Sequence, residues 1–235
     1  KKMVEVCTRE GADVIFAGRN QECSEEVLRS VADYPGKAHF VKTDAAIPED
    51  CENLFYTAME IYGKIDGFFH YAGITPVASL DACDVETLDK VMDINFRAAF
   101  LCCQHAIRCM RQSSGGSIII TGSPHAWGGD KDRAAYACSK GALLTLMNHI
   151  AHNYACENIR CNYLTMGWTL TEGEIALRKS QVDDVGHYFK EMAELIPMKR
   201  FCVPDDYTEQ IVYLLSDASK MMTGTVLQMT AGYFL

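Results

Sequence analysis

The chain has 235 residues, 49% of them hydrophobic, and a formal net charge of −9. That length suits one α/β domain spanning residues 1–235, and the apolar content supplies its core, whereas the acidic balance argues against a general binder of nucleic acid or anionic membrane. No apolar run has the length of a membrane span, and no signal-peptide pattern is visible among these residues. The 11 cysteines include no Cys-x-x-Cys pair, so no metal site is expected. They read as reduced thiols acting as small hydrophobes in a cytoplasmic protein.

In chain order, Lys1 to Arg9 reads as a helix stopped by Gly11. Ala12 to Ala17 is a short apolar strand, followed by Gly18-Arg19-Asn20, and Glu22 to Tyr34 a helix. Ala38 to Lys42 is a strand ending in Thr43-Asp44-Ala45. Pro48 to Tyr62 is a helix with Pro48 suited to its first turn, and Ile65 to Tyr71 a strand ending in Ala72-Gly73. Val85 to Met110 is a long helix or a bent pair. Ser117 to Ser123 is a buried β-branched strand, and Arg133 to Tyr154 the helix after it. Ile159 to Thr165 is a strand ending in Met166-Gly167. Thr171 to Leu195 reads as helix, Pro204 to Ser216 as helix, and Thr225 to Thr230 as a last strand. Strands alternating with helices predict a doubly wound parallel sheet covered on both faces, a three-layer α/β/α fold. Ligands in such sheets bind beyond the carboxyl ends of the strands, where Arg19, Asp44, Gly73, Ser123 and Gly167 all fall.

The stretch from Ser117 to Leu146 organises the rest. Tyr136 and Lys140 are four residues apart on one helical face, and Ser123 ends the preceding strand. A phenol, an ammonium and a hydroxyl can thus meet at a strand end. Each has a bland rival: Ser123 as a turn residue, Lys140 as a surface lysine, Cys138 beside them as plain helix packing.

On these residues the chain resembles the short-chain dehydrogenase/reductase family, from about Gly11 to Gly232. The serine followed by Tyr-x-x-x-Lys is matched by Ser123, Tyr136 and Lys140, with Ser139 before the lysine. Asp93-Ile94-Asn95-Phe96 matches the motif in the preceding helix. Asn162 to Gly167 matches Asn-x-x-x-Pro-Gly with Met166 for proline, and Thr171 the threonine beyond it. The family's Asn-Asn-Ala-Gly turn stands here as His70-Tyr71-Ala72-Gly73. Its opening strand and glycine-rich loop, which cradles the pyrophosphate, have no counterpart before Gly11. The chain given is therefore expected to lack a strand and loop at its N-terminus; a natural truncation with damaged cofactor binding is the alternative.

The resemblance implies hydride exchange between NAD(P) and a secondary alcohol or ketone. Tyr136 is then the general acid/base, and Lys140 lowers its pKa and binds the nicotinamide ribose. Ser123 orients the substrate oxygen, and Asn95 holds a water in a proton relay. Thr171 binds the carboxamide, with a helix cap as its rival role. Arg19 after the second strand suits a 2′-phosphate and favours NADP over NAD; Asp44 and Ala45 meet the adenine. His125, Trp127 and Trp168 are expected to line the substrate pocket, with 171–198 as its lid and Glu172, Glu174, Arg178 and Lys179 as a solvated face. A homo-oligomer, dimer or tetramer, is expected. A non-catalytic nucleotide-binding or regulatory protein on the same scaffold is the alternative reading.

Overall fold

The computed structural model describes residues 1–233. Its elements are α1 (Lys2–Arg9), β1 (Val14–Gly18), α2 (Gln21–Ser30), β2 (Ala38–Lys42), α3 (Pro48–Tyr62), β3 (Gly67–His70), α4 (Val85–Val91), α5 (Ala98–Met110), β4 (Gly116–Gly122), α6 (Ala134–Asn153), β5 (Ile159–Met166), α7 (Glu172–Lys179), α8 (Val185–Leu195), α9 (Thr208–Leu215) and β6 (Val226–Met229). Local chemistry sets their ends. Asn20 caps α2 by accepting from the Cys23 N–H at 3.0 Å, and α3 has Pro48 in its first turn and ends on Gly63 at φ 70°.

Two segments differ from the sequence reading. Residues 85–110 form one helical rod, but Met92–Arg97 is π-helical, an insertion that widens the backbone ladder and is frequent at functional sites. The lid segment is broken into α7 and α8. Asp184 starts α8 by accepting from the His187 N–H at 2.9 Å, a cap strong enough to end one helix and begin another.

All paired strands are parallel. The α/β architecture is the one the alternation predicts, but its sheet comes in two hydrogen-bonded pieces, β1-β2 and β3-β4-β5-β6. Side-chain packing by α1 links the two pieces. Val4 packs with Val14 and Phe16 of β1, Met3 packs against the cluster holding Phe69 and Ile119, and Lys2 pairs with Asp205 at 3.0 Å.

β4 shows why its sequence is a continuous apolar run. Ile118 and Ile120 enter the core under α3, α5 and α6, whereas Ile119 enters the opposite core with Leu164, Ile211 and Leu214. Alternate residues thus face two buried layers. Cys51, Cys102, Cys103, Cys109 and Cys161 join the first of these cores as small hydrophobes. Cys138, expected to pack inside its helix, is exposed instead. No helix of the described residues is long and apolar enough to cross a membrane.

Candidate active site

Ser123 lies between β4 and a short 3-10 turn, Pro124–Trp127. Its hydroxyl accepts from the His125 N–H at 3.3 Å, so its turn role is real. The same hydroxyl opposes the rise in the Tyr136 phenol's pKa. Tyr136 and Lys140 project from the first turns of α6, as their spacing requires. Lys140 is only 3% exposed. Its Nζ donates to the Thr121 carbonyl at 2.9 Å and stands 5.6 Å from the centre of the Tyr136 ring. From below, the Tyr163 hydroxyl donates to the Lys140 carbonyl at 3.0 Å. Gly122 is required there: a Cβ would meet the Tyr163 ring at 2.0 Å.

Burial of the ammonium pushes Lys140 down to about 8, since removal from water disfavours the charged form. Burial pushes the Tyr136 phenol up, opposed first by the Ser123 hydroxyl and then by Arg133, with Tyr71 adding to the rise. The ammonium is held by a backbone carbonyl and stands over the tyrosine ring.

Asn95 sits in the π-helical segment and is fully buried, which excludes a solvated mid-helix role. Its Oδ1 accepts from the Ile74 N–H at 2.7 Å. Its amide donates to the Ile74 carbonyl at 2.9 Å and to Ser139 Oγ at 3.0 Å. Both amide hydrogens are thus committed, so its side chain ties the turn after β3 to α6. Gly73 shares this corner: a Cβ there would lie 3.4 Å from Asn95 Oδ1 and 3.9 Å from Lys140 Nζ. His70, ahead of it, is buried with neither ring nitrogen partnered among the described residues. Burial and then the Lys140 charge push it down to about 3, so it is neutral.

At the other end of this edge, a cleft of about 740 Å³ is lined by Arg19, Asp44, Ala46, Lys90 and Asp93 among others. Arg19 is a long-range partner of Asp44, at 3.9 Å. Asp44 also makes a turn, accepting from the Ala46 N–H at 3.0 Å. The Ala45 carbonyl accepts from the Cys51 thiol at 3.8 Å, and the Ala46 carbonyl from Arg97 at 3.2 Å. An open cleft at one end and a Cβ-free Gly73 beside Lys140 at the other suit an elongated dinucleotide.

Beyond Ser123, the His125 ring meets Tyr136 edge to face, with centroids 5.5 Å apart. Trp127 meets Tyr163 likewise at 6.3 Å. Gly167 admits no side chain, because a Cβ would lie 2.7 Å from the Thr230 backbone. Thr171 caps α7, accepting from the Glu174 N–H at 3.1 Å. Trp168 is drawn into the lid: its indole N–H donates to Glu174 at 3.1 Å, the same Glu174 oxygen takes Arg178 at 2.7 Å, and Arg178 stacks over both Trp168 and Tyr188 at 5.7 Å. Glu174 and Arg178 are therefore not the solvated face that the charge pattern implied. The sequence reading also missed Thr121, whose backbone carbonyl holds Lys140, and Asp130, whose carboxylate lies 3.8 Å from His125.

A parallel α/β sheet with serine, tyrosine and lysine gathered at one strand end defines a nicotinamide-dependent oxidoreductase. The family model described as enoyl-(acyl carrier protein) reductase matches residues 1–234, and the chain belongs to the short-chain dehydrogenase/reductase family. It is 28% identical to a 3beta-hydroxysteroid dehydrogenase of Mediterraneibacter gnavus, across 96% of this chain and 87% of that protein. It is 32% identical to a 2,5-dichloro-2,5-cyclohexadiene-1,4-diol dehydrogenase of Sphingobium indicum, across 98% of this chain and 90% of that one. Its fold is similar to that of NAD+-bound xylitol dehydrogenase, with a TM-score of 0.89 and 25% identity over 98% of this chain and 93% of that one.

Proposed function

We propose that this chain interconverts a secondary alcohol and a ketone, with Tyr136 as general acid/base. The reading is carried by the Lys140 ammonium, 5.6 Å from the centre of the Tyr136 ring, with the Ser123 hydroxyl at the end of β4 opposing the rise in the phenol's pKa. Ser123 holds the substrate oxygen beside the phenol. Tyr136 takes the hydroxyl proton in oxidation and returns it in reduction. Lys140, positively charged below about pH 8, favours the phenolate. Asn95 is a positioning residue that keeps the Gly73 turn and the Ser139 turn of α6 together.

Arg19, Asp44 and Ala45 would hold the adenosine end of NAD(P); Ala72 and Gly73 its middle; Tyr136, Lys140, Gly167 and Thr171 the nicotinamide end. Bound there, the cofactor supplies or accepts the hydride. Our preference for NADP rests on the Arg19 guanidinium, which is 75% exposed at the mouth of the cleft and suits a phosphate. NAD is the second reading, favoured by Asp44, Glu86, Asp89 and Asp93, which outnumber Arg19 and Lys90 in the same lining.

The names of the relatives, a steroid and a cyclic diol dehydrogenase among them, support a hydroxylated carbon compound as substrate. His125 and Trp127 beside Ser123 are the residues to contact it. The test is fluorescence titration of the full-length protein with NADPH and NADH, followed by a secondary-alcohol panel read at the nicotinamide absorbance. Turnover that is lost in Ser123→Ala is expected. Tight cofactor binding with no turnover of any alcohol or ketone would instead favour the non-catalytic reading.

A further inference from the structure

We propose that His125 and Asp130 form a subsite for a second substrate oxygen, on the carbon next to the reacting one, so that the enzyme acts on vicinal diols and α-hydroxy ketones. This rests on the reading of Ser123 and Tyr136 as the groups that hold the reacting oxygen.

Position comes first. His125 is two residues beyond Ser123, and its N–H is bound by the Ser123 hydroxyl. Its ring lies edge to face with that of Tyr136, centroids 5.5 Å apart. An imidazole so close to the acid/base pair borders the atom adjacent to the reacting carbon rather than a remote part of the substrate.

The second observation is that the ring is poor in partners. Nδ1 is buried with no hydrogen-bond partner among the described residues. Nε2 faces the Asp130 carboxylate at 3.8 Å, beyond hydrogen-bond distance. A hydroxyl has one donor and two acceptor sites. Seated between these groups it accepts from the Nε2–H and donates to Asp130, completing a pair the protein alone leaves open. The hydroxyl uses Nε2 and Asp130 only, and the buried Nδ1 stays without a partner among the described residues.

Charge then narrows the class. Burial lowers the His125 pKa, with Asp130 and Asp132 raising it and Arg133 lowering it, so the ring is neutral at neutral pH. Arg133 is already paired with Asp132 at 3.2 Å, which leaves Asp130 as the uncompensated charge. A carboxylate or phosphate on the substrate is repelled there, and a neutral hydroxyl is accepted. The second hydroxyl is not consumed: the neighbouring carbinol loses its hydride to NAD(P)+ and its proton to Tyr136.

The test compares kcat/KM for cyclohexane-1,2-diol and cyclohexanol, using the full-length protein. The diol is expected to be preferred by about tenfold or more, the range that separates a made from an unmade hydrogen bond in a built site. His125→Leu is expected to bring the ratio near one. Asp130→Ala, on an exposed loop residue that does not support the core, is expected to lower it as well, and serves if the first variant does not fold. A wild-type ratio near one, or a ratio unchanged in both variants, overturns the inference while leaving the dehydrogenase reading in place. Oxidation of neither alcohol with either cofactor overturns both.

Discussion

The side chain of Asn95 bonds the backbone of Ile74 twice, accepting from its N–H at 2.7 Å and donating to its carbonyl at 2.9 Å. One amide thus takes the place of a neighbouring strand for the turn that follows β3. Its third bond, to Ser139, ties that turn to the helix carrying Tyr136 and Lys140. The π-helical segment is what brings Asn95 to this position, so a local irregularity of a helix sets the spacing of the site.

Asn95→Leu keeps the volume and removes all three bonds. Two half-buried backbone groups of Ile74 then lose their partners, and the loss of stability is expected to be about 2 kcal/mol. Urea unfolding checks this, with weaker NADPH binding at temperatures where the variant is still folded. Asn95→Asp is expected to leave part of the loss unrepaired, because a carboxylate cannot donate to the Ile74 carbonyl or to Ser139.

Gly122→Ala places a Cβ where the Tyr163 ring already lies, at 2.0 Å. Tyr163 is fully buried and cannot swing out, so overpacking is expected to remove about 2 kcal/mol or more. Since the Tyr163 hydroxyl supports the Lys140 carbonyl, the same variant is expected to lower turnover. A variant with wild-type melting temperature would show that the ring has room to move.

Lys140 links stability to pH. Folding lowers its pKa from 10.5 to about 8, so between those values the unfolded chain binds more protons and stability rises with pH. The penalty for the buried ammonium is complete below about pH 8 and gone above 10.5, and its size is about 3 kcal/mol. In Lys140→Met this contribution is absent. The stability of wild type minus that of the variant, from urea curves of the protein without cofactor, is therefore expected to increase from neutral pH to pH 10.5. A difference that falls over that interval would mean that the lysine is not buried as described.

α7 is tied to the preceding loop by Glu174, which takes both the Trp168 indole N–H and the Arg178 guanidinium. Glu174→Ala removes both bonds and loosens α7. Trypsin is expected to cut after Arg178 or Lys179 several-fold faster in this variant than in wild type. Equal rates would show that the aromatic contacts of Trp168 with Phe201 and Tyr188 suffice.

Much of this was legible in the residues. The triple isoleucine run of β4, the four-residue spacing of Tyr136 and Lys140, and Pro48 in the first turn of α3 act locally, so the chain itself carries their signal. Three features were not. The carbonyl of Thr121 that holds Lys140 is a backbone group, and every residue has one. The pairing of Glu174 with Trp168 looks in sequence like an ordinary charged helix face, because the aromatic partner comes from the preceding loop. The division of the sheet between β1 and β3 could be anticipated only from the resemblance, whose opening strand has no counterpart before Gly11, and not from the alternation of elements.

The central claim is that the Tyr136 hydroxyl moves the proton, and Tyr136→Phe tests it most directly. Phenylalanine fills the same space and keeps the ring contacts with His125 and Lys140. For an alcohol that the wild type oxidises, kcat/KM is expected to fall by about 10³-fold, while the dissociation constant for NADPH or NADH rises by about tenfold at most, the loss of one hydrogen bond. A variant that binds cofactor normally and retains at least about a tenth of wild-type turnover would contradict the assignment of Tyr136 as the acid/base.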